Sequence, residues 1–270
     1  MTYRRIEGGL RAAPRVDEKP SALVDVLRDV RLSTPSGLAI AAWYVPSQNG
    51  AAIVYLHGSM GDRRTLLAEA MALQSAGYGA LLLDAPGFGA SEGHVTWGRD
   101  AQDAVSAAID FVASQPEVQG GRIGAVGSSM GTSVVAHVAA RDPRIRAVVL
   151  EGAFTTLDEQ LAYEFRRWGP ATRLPAVWAC ERAGIAFDQL RTTEVIARLA
   201  PRPQLFVAGD RDPIVPLEMT RSLYDLAGDP KELAVIAGAD HGGYARVEGP
   251  AYYQRVRAFF DRALSTAGGP

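Results

Sequence analysis

Apolar and polar positions along this chain follow two periods in turn. Residues 51–56, 78–83, 122–126, 146–150, 204–208 and 233–236 are short apolar runs bounded by glycine, proline or charge, the pattern of strands buried on both faces. Between most of them, residues 63–74, 101–114, 132–140, 217–226 and 251–264 place apolar side chains three and four positions apart, which is the stripe of an amphipathic helix. Upstream, residues 30–34 and 38–45 read as two strands separated by Pro35-Ser36-Gly37, a turn signal that predicts an antiparallel pair at a sheet edge. Strand and helix in alternation imply right-handed crossovers, hence a mostly parallel sheet with helices on both faces. The expected fold is α/β, with about eight strands.

The alternation breaks between Gly152 and Pro201. Short helices are expected there: one from Thr156, with Glu159 completing a capping box, one near residues 176–182 and one near 193–199. Residues 153–200 are therefore read as a small helical cap inserted into a single domain covering residues 25–270. For its aromatics, Phe154, Tyr163, Phe165, Trp168, Trp178 and Phe187, a pocket wall and ordinary helix packing are both open readings. Residues 1–24, with Pro14 and Pro20 among mixed charges, are expected to be a flexible lead-in.

Composition narrows the function classes. Of 270 residues 47% are apolar and 21% charged, and no run approaches the roughly 18 apolar residues of a membrane helix. No secretory pattern is visible at the N-terminus, so a cytoplasmic location is expected. Cys180 is the only cysteine, which excludes an intramolecular disulfide and a cysteine metal cluster. A formal charge of −2, with Arg4-Arg5, Arg63-Arg64 and Arg166-Arg167 scattered among acids, gives no basic field for nucleic acid. A small-molecule substrate is expected, with neither metal nor organic cofactor.

Gly127-Ser128-Ser129-Met130-Gly131 lies between the run 122–126 and the helical pattern 132–140. A serine hydroxyl is a weak nucleophile until it is held clear of the backbone, beside a base and at a helix N-terminus. A strand, a very tight turn and a helix with Ser129 at the tip provide that position, and the flanking glycines relieve the crowding of the turn. The same G-x-S-x-G spelling recurs at Gly89-Ala90-Ser91-Glu92-Gly93, but no helical pattern follows it directly, so Ser129 is the expected nucleophile.

Four histidines are available as the base: His57, His94, His137 and His241. His137 falls inside the helix after Ser129, His94 in a polar loop, and His57 at the end of a central strand, where it is expected to fix a loop. His241 follows the last strand, at the carboxyl edge of the sheet where ligands gather in open parallel folds, and is the expected base. The acid that orients it is expected at Asp212, stiffened by Pro213 and Pro216, rather than at Asp210, which is read as pairing locally with Arg211. Two backbone N–H groups would complete an oxyanion hole, one at Met130 and one at Ser59 in His57-Gly58-Ser59-Met60-Gly61.

In this order, His57-Gly58, the run from Asp84 to Gly93, the Ser129 turn, Gly209-Asp210-Arg211-Asp212-Pro213 and Asp240-His241-Gly242 resemble the α/β-hydrolase fold over about residues 28–265. More narrowly, the chain is similar to the serine aminopeptidase-like hydrolases and to small depalmitoylase-like members. The resemblance implies that the acid is the aspartate three residues after Gly209, namely Asp212. The anchored relatives carry an N-terminal hydrophobic segment that residues 1–20 do not reproduce, which reads against an acyl-protein substrate. The expected activity is hydrolysis of carboxylic esters with small to medium acyl groups through an acyl-enzyme. Peptide or thioester cleavage on the same residues is the alternative, followed by a non-catalytic binding scaffold. Gly87, Gly89 and Gly93 do not fit the spacing of a dinucleotide loop.

Overall fold

The computed structural model describes residues 18–265, except 167, 168 and 170–172. The lead-in expected over residues 1–24 therefore lies outside the described residues as far as residue 17, and beyond it Ser21–Leu23 forms a single 3₁₀ turn.

Eight strands form one sheet: β1 (Arg28–Ser33), β2 (Ala39–Val45), β3 (Ala52–Leu56), β4 (Gly79–Leu83), β5 (Ile123–Ser128), β6 (Ile145–Glu151), β7 (Gln204–Gly209) and β8 (Lys231–Ile236), in the spatial order β1-β2-β4-β3-β5-β6-β7-β8. β2 runs antiparallel to both β1 and β4, and every other pairing is parallel. The central strands are apolar throughout because both faces are covered. In β3, Ala52, Val54 and Leu56 enter one core while Ile53 and Tyr55 enter the other, as the two-residue period of a strand requires.

Helices α1 (Leu67–Gln74), α2 (Arg99–Ala113), α3 (Met130–Ala139), α6 (Leu217–Leu226) and α8 (Pro250–Ala263) correspond to the five amphipathic segments of the sequence. Four of them begin elsewhere than the pattern suggests, α2 two residues early at Arg99 and α8 one residue early at Pro250. α1 starts four residues late, and residues 63–66 form turns in which the Asp62 carboxylate accepts the Arg64 N–H (2.9 Å) and Asp84 accepts the Arg63 N–H (2.8 Å). α3 starts two residues early, at Met130, while β5 runs on to Ser128, so a single residue makes the whole strand-to-helix turn.

The segment between β6 and β7 holds α4 (Leu157–Phe165) and α5 (Arg173–Arg182), followed by 3₁₀ turns at Phe187–Leu190, Thr192–Glu194 and Ile196–Leu199 in place of the third α-helix expected there. The capping box is half present: Thr156 Oγ1 accepts the Glu159 N–H (3.2 Å), but the Glu159 carboxylate accepts from the Thr155 hydroxyl instead of reaching back to the cap. Phe154 and Phe165 are core residues, whereas Trp178 is 56% exposed; Trp168 lies outside the described residues. A short helix absent from the sequence reading, α7 (Tyr244–Glu248), follows His241 directly. Among the described residues no helix is long and apolar enough to cross a membrane.

α8 closes one face by setting Phe260 against β5. A Cβ on Gly124 would stand 2.5 Å from a Phe260 ring carbon and 2.8 Å from Ile53 Cδ1. Overpacking of this kind costs about 1–3 kcal/mol, so Gly124→Ala should lower the urea-unfolding free energy by that amount, seen as a lower midpoint at an unchanged slope.

Candidate active site

Ser129 has φ 52° and ψ −120°, and only one other non-glycine residue, Trp97, has positive φ among those described. Such a conformation typically costs about 1–3 kcal/mol and persists only where the surroundings impose it. They do so by close approach: a Cβ on Gly127 would lie 2.5 Å from Gly131 O, and one on Gly131 would lie 2.6 Å from Leu56 O. The Ser129 N–H is tied to Glu151 O (2.8 Å) and its carbonyl accepts the Thr132 N–H (2.9 Å). Met130 opens α3, where the first N–H groups have no intrahelical acceptor and the helix dipole is positive. Ser91, the other serine in a matching motif, is buried at 3% exposure; its hydroxyl donates to Asp84 O (2.8 Å) and accepts the Ala41 N–H (2.9 Å). It locks a loop onto β2 and cannot turn toward a ligand without breaking both bonds.

Of the histidines, His241 alone meets a carboxylate by hydrogen bond among the described residues, its Nδ1 lying 2.6 Å from Asp212 Oδ2. The other Asp212 oxygen accepts the N–H groups of Ile214 (2.8 Å) and Val215 (2.9 Å), so the turn stiffened by Pro213 and Pro216 is what orients the carboxylate. The Asp212 side chain is 1% exposed and the His241 ring 20%: the carboxylate is enclosed and the imidazole reaches the surface. Ser129 and His241 meet the same strand end. Ser129 donates to Glu151 O, and a Cβ on the next residue, Gly152, would stand 3.1 Å from His241 Cε1.

The neighbouring acids are occupied elsewhere. Asp210 is exposed and accepts the Gly238 N–H (2.6 Å) rather than pairing with Arg211, and Asp240 pairs with Arg246. His137 bonds Ser133 O one turn back along α3 (2.8 Å), and His94 is exposed.

The loop after β3 is pinned from below. A Cβ on Gly58 would lie 2.9 Å from Ser129 Cβ, so the loop that carries Ser59 rests directly on the Ser129 turn. His57, 2% exposed, accepts the Ala85 N–H at Nε2 (3.0 Å), which leaves its proton on Nδ1 to donate to Gly58 O (2.7 Å). Burial holds this imidazole below its usual pKa, in the neutral form that both bonds require. Arg63 and Asp84 form a buried ion pair beneath the same loop, with the guanidinium 4.5 Å above the Trp43 ring, and Asp84 Oδ2 also accepts the Ala90 N–H (2.9 Å). Neither role was legible in the sequence, where both residues look like surface charges.

Glu151, which as a residue following β6 would suit capture of a substrate ammonium, is instead the last residue of that strand, 4% exposed and hydrogen-bonded to Tyr252 in the interior. Glu69, the third buried acid near this edge, belongs to α1. Its position in an apolar stripe was the available signal.

The chain is similar to known proteins along most of its length. The family described as serine aminopeptidase, S33, matches residues 47–179, and that described as TAP-like protein matches residues 171–267. The chain is 31% identical over 242 residues to Rv2307c of Mycobacterium tuberculosis, covering 88% of this chain and 81% of that protein. It is 26% identical over 216 residues to the α/β hydrolase domain-containing protein WAV2 of Arabidopsis thaliana, covering 76% and 68%. The structure superposes on the esterase Pf2001 of Pyrococcus furiosus with a TM-score of 0.80 at 21% identity, over 95% of this chain and 99% of that one. The chain belongs to the α/β-hydrolase family.

Removing one partner of a buried ion pair strands the other, at a cost of about 3–5 kcal/mol. Arg63→Met should therefore lower the urea-unfolding free energy by that amount, whereas Arg64→Met, whose guanidinium is 39% exposed on Asp62, should change it by less than about 1 kcal/mol.

Proposed function

We propose that this protein is a serine hydrolase that cleaves carboxylic esters of small to medium acyl groups through an acyl-enzyme. The observation that carries the reading is the 2.6 Å bond from His241 to an enclosed Asp212, at the sheet edge where Ser129 stands in a strained turn. Ser129 Oγ attacks the acyl carbonyl while His241 Nε2 takes its proton. Asp212 holds Nδ1–H and stabilises the imidazolium. The N–H groups of Ser59 and Met130 receive the charge that builds on the carbonyl oxygen, a contribution of a few kcal/mol where such donors are preorganised. His241 then protonates the leaving alkoxide, and a water activated by the same imidazole releases the acid.

An ester is favoured over an amide on two grounds. Esters expel a better leaving group and need less help from the site in protonating it. Four acids, Glu151, Asp158, Glu159 and Glu164, would suit capture of an α-ammonium, and of these Glu151 is turned inward, Glu159 is engaged by Thr155 and Glu164 by Gln160. Met60 and Ile214, 78% and 39% exposed, supply apolar surface in the loops that carry Ser59 and Asp212, and the residues 153–200 are read as the cap that limits acyl length. Pf2001 bears the name esterase. The matched serine aminopeptidase family is the observation that favours a second reading, a peptidase on the same residues.

Ser129→Ala should reduce turnover by up to about 10⁶-fold and abolish labelling by a serine-directed phosphonate, whereas Ser91→Ala should lose stability but keep most of its turnover. Labelling of Ser129→Ala at the parental rate would refute the nucleophile. Asp212→Asn should slow turnover far more than Asp210→Asn, and the reverse ranking would move the acid. Across p-nitrophenyl esters of increasing chain length and aminoacyl arylamides at matched concentration, short to medium esters should be cleaved fastest; faster arylamide cleavage would establish the peptidase.

A further inference from the structure

Behind the nucleophile turn lies a buried polar group to which the proposed reaction assigns no role. Glu69 comes from α1 (3% exposed), Glu151 from the end of β6 (4%), Tyr55 from β3 (1%) and Tyr252 from α8 (2%). The Tyr252 hydroxyl donates to Glu151 Oε1, and the two carboxyl groups lie within hydrogen-bonding reach of each other. Glu69 Oε1 and the Tyr55 hydroxyl have no hydrogen-bond partner among the described residues.

Two carboxylates in contact within a dry interior cannot both ionise, because each is desolvated and each repels the other. Burial raises the pKa of both, and for Glu69 the repulsion from Glu151 adds to it. The proton therefore belongs on Glu69, the group pushed further. The charge belongs on Glu151, which receives the Tyr252 hydrogen bond and is favoured as an anion by its neighbour His241.

We propose that Glu69 and Glu151 share one proton and that their single negative charge acts on His241, making Glu151 a positioning residue that stabilises the imidazolium whose Nδ1 Asp212 holds. The claim that this matters for acyl transfer rests on the reading of Ser129 and His241 given above.

Three observations join the pair to the site. The Glu151 carbonyl accepts the Ser129 N–H at 2.8 Å. Gly152, at φ +63°, brings the backbone so close that a Cβ there would be 3.1 Å from both His241 Cε1 and the Tyr244 hydroxyl oxygen. Tyr252, which holds Glu151, stacks 5.7 Å from Tyr244 in the helix that follows His241.

The other titratable groups around His241 are Asp212, bonded to it, Tyr244 from α7, and Asp240, already paired with Arg246. Those around the carboxyl pair are Tyr55, Tyr244, Tyr252 and Tyr253, with Tyr78 beyond Tyr55 and bonded to Asp261. Burial raises the pKa of all these tyrosines, so they are neutral, and Glu151 is the remaining charge that an isosteric substitution can remove without breaking the Asp212 bond.

The sign follows from this charge count. Glu69→Gln leaves Glu151 ionised, with the new amide donating to it, and keeps the net charge at minus one. Glu151→Gln leaves Glu69 protonated and takes the net charge to zero, so the imidazolium loses an attraction and His241 must titrate at lower pH. For one charge at about 10 Å in a medium of effective dielectric near 20, the expected displacement is about 1 pH unit. The measurement is the NMR titration of the His241 Cε1–H, identified by its loss in His241→Asn, on the full chain and the two glutamine variants.

The expected result is a lower midpoint in Glu151→Gln and an unmoved one in Glu69→Gln. An unmoved midpoint in folded Glu151→Gln, or equal displacements in both variants, would overturn the proposal. Should Glu151→Gln not fold, Tyr252→Phe removes the bond that keeps the charge on Glu151 and must shift the midpoint in the same direction; no shift there would equally overturn it. The titration does not depend on turnover, so failure of the nucleophile reading, seen as activity retained in Ser129→Ala, is distinguishable from failure of the carboxyl pair.

Discussion

One residue makes the turn between β5 and α3, and that turn can exist only where backbones touch. Ser129 at φ 52° brings Gly127 against Gly131, Gly131 against the end of β3, and Gly58 against Ser129 itself. No side chain larger than hydrogen fits at these three points, so the local strain is held by the register of the three central strands. The same contact delivers the loop after β3 and the end of β6 to the serine. Sheet order, with β5 between β3 and β6, is therefore the condition for everything chemical at this edge.

Around that turn the polar groups are arranged by depth. Asp212 is enclosed and saturated by two backbone N–H groups and one imidazole, so it has little freedom to solvate or rotate. Beneath the loop after β3, Arg63, Asp84 and His57 form a rigid floor in which each polar atom that bonds the backbone fixes one stretch of loop. Glu69 and Glu151 form a third layer, the most costly in desolvation, directly behind the strand end that both Ser129 and His241 touch. A low dielectric makes each of these charges act more strongly on the imidazole than a surface charge would, and it also makes each intolerant of a missing partner.

Most of the fold could be read along the chain, because an apolar run buried on two faces and a stripe buried on one leave different periods. Eight strands and five main helices follow from that difference, as do the antiparallel start at Pro35-Ser36-Gly37 and the turn at Ser129. The Ser129 turn was legible because its sterics are local: two glycines and a serine at fixed spacing have few other uses between a strand and a helix. Asp212 was distinguishable from Asp210 for a similar reason, since the prolines flanking it stiffen a short segment whose N–H groups then have to find an acceptor.

What could not be read was every relation between segments distant in the chain. Arg63 to Asp84, Glu69 to Glu151 and Glu151 to Tyr252 span 21, 82 and 101 positions, and nothing in the local pattern separates these acids and bases from solvated ones. Their burial arises only when the crossovers stack α1 and α8 over the same face of the sheet, where the desolvation that shifts their protonation is a property of the assembled core. Local sterics and periodicity set the elements and the Ser129 turn; long-range burial set which charges lie beside them, because the cost of removing a charge from water depends on what packs around it and not on its neighbours in sequence.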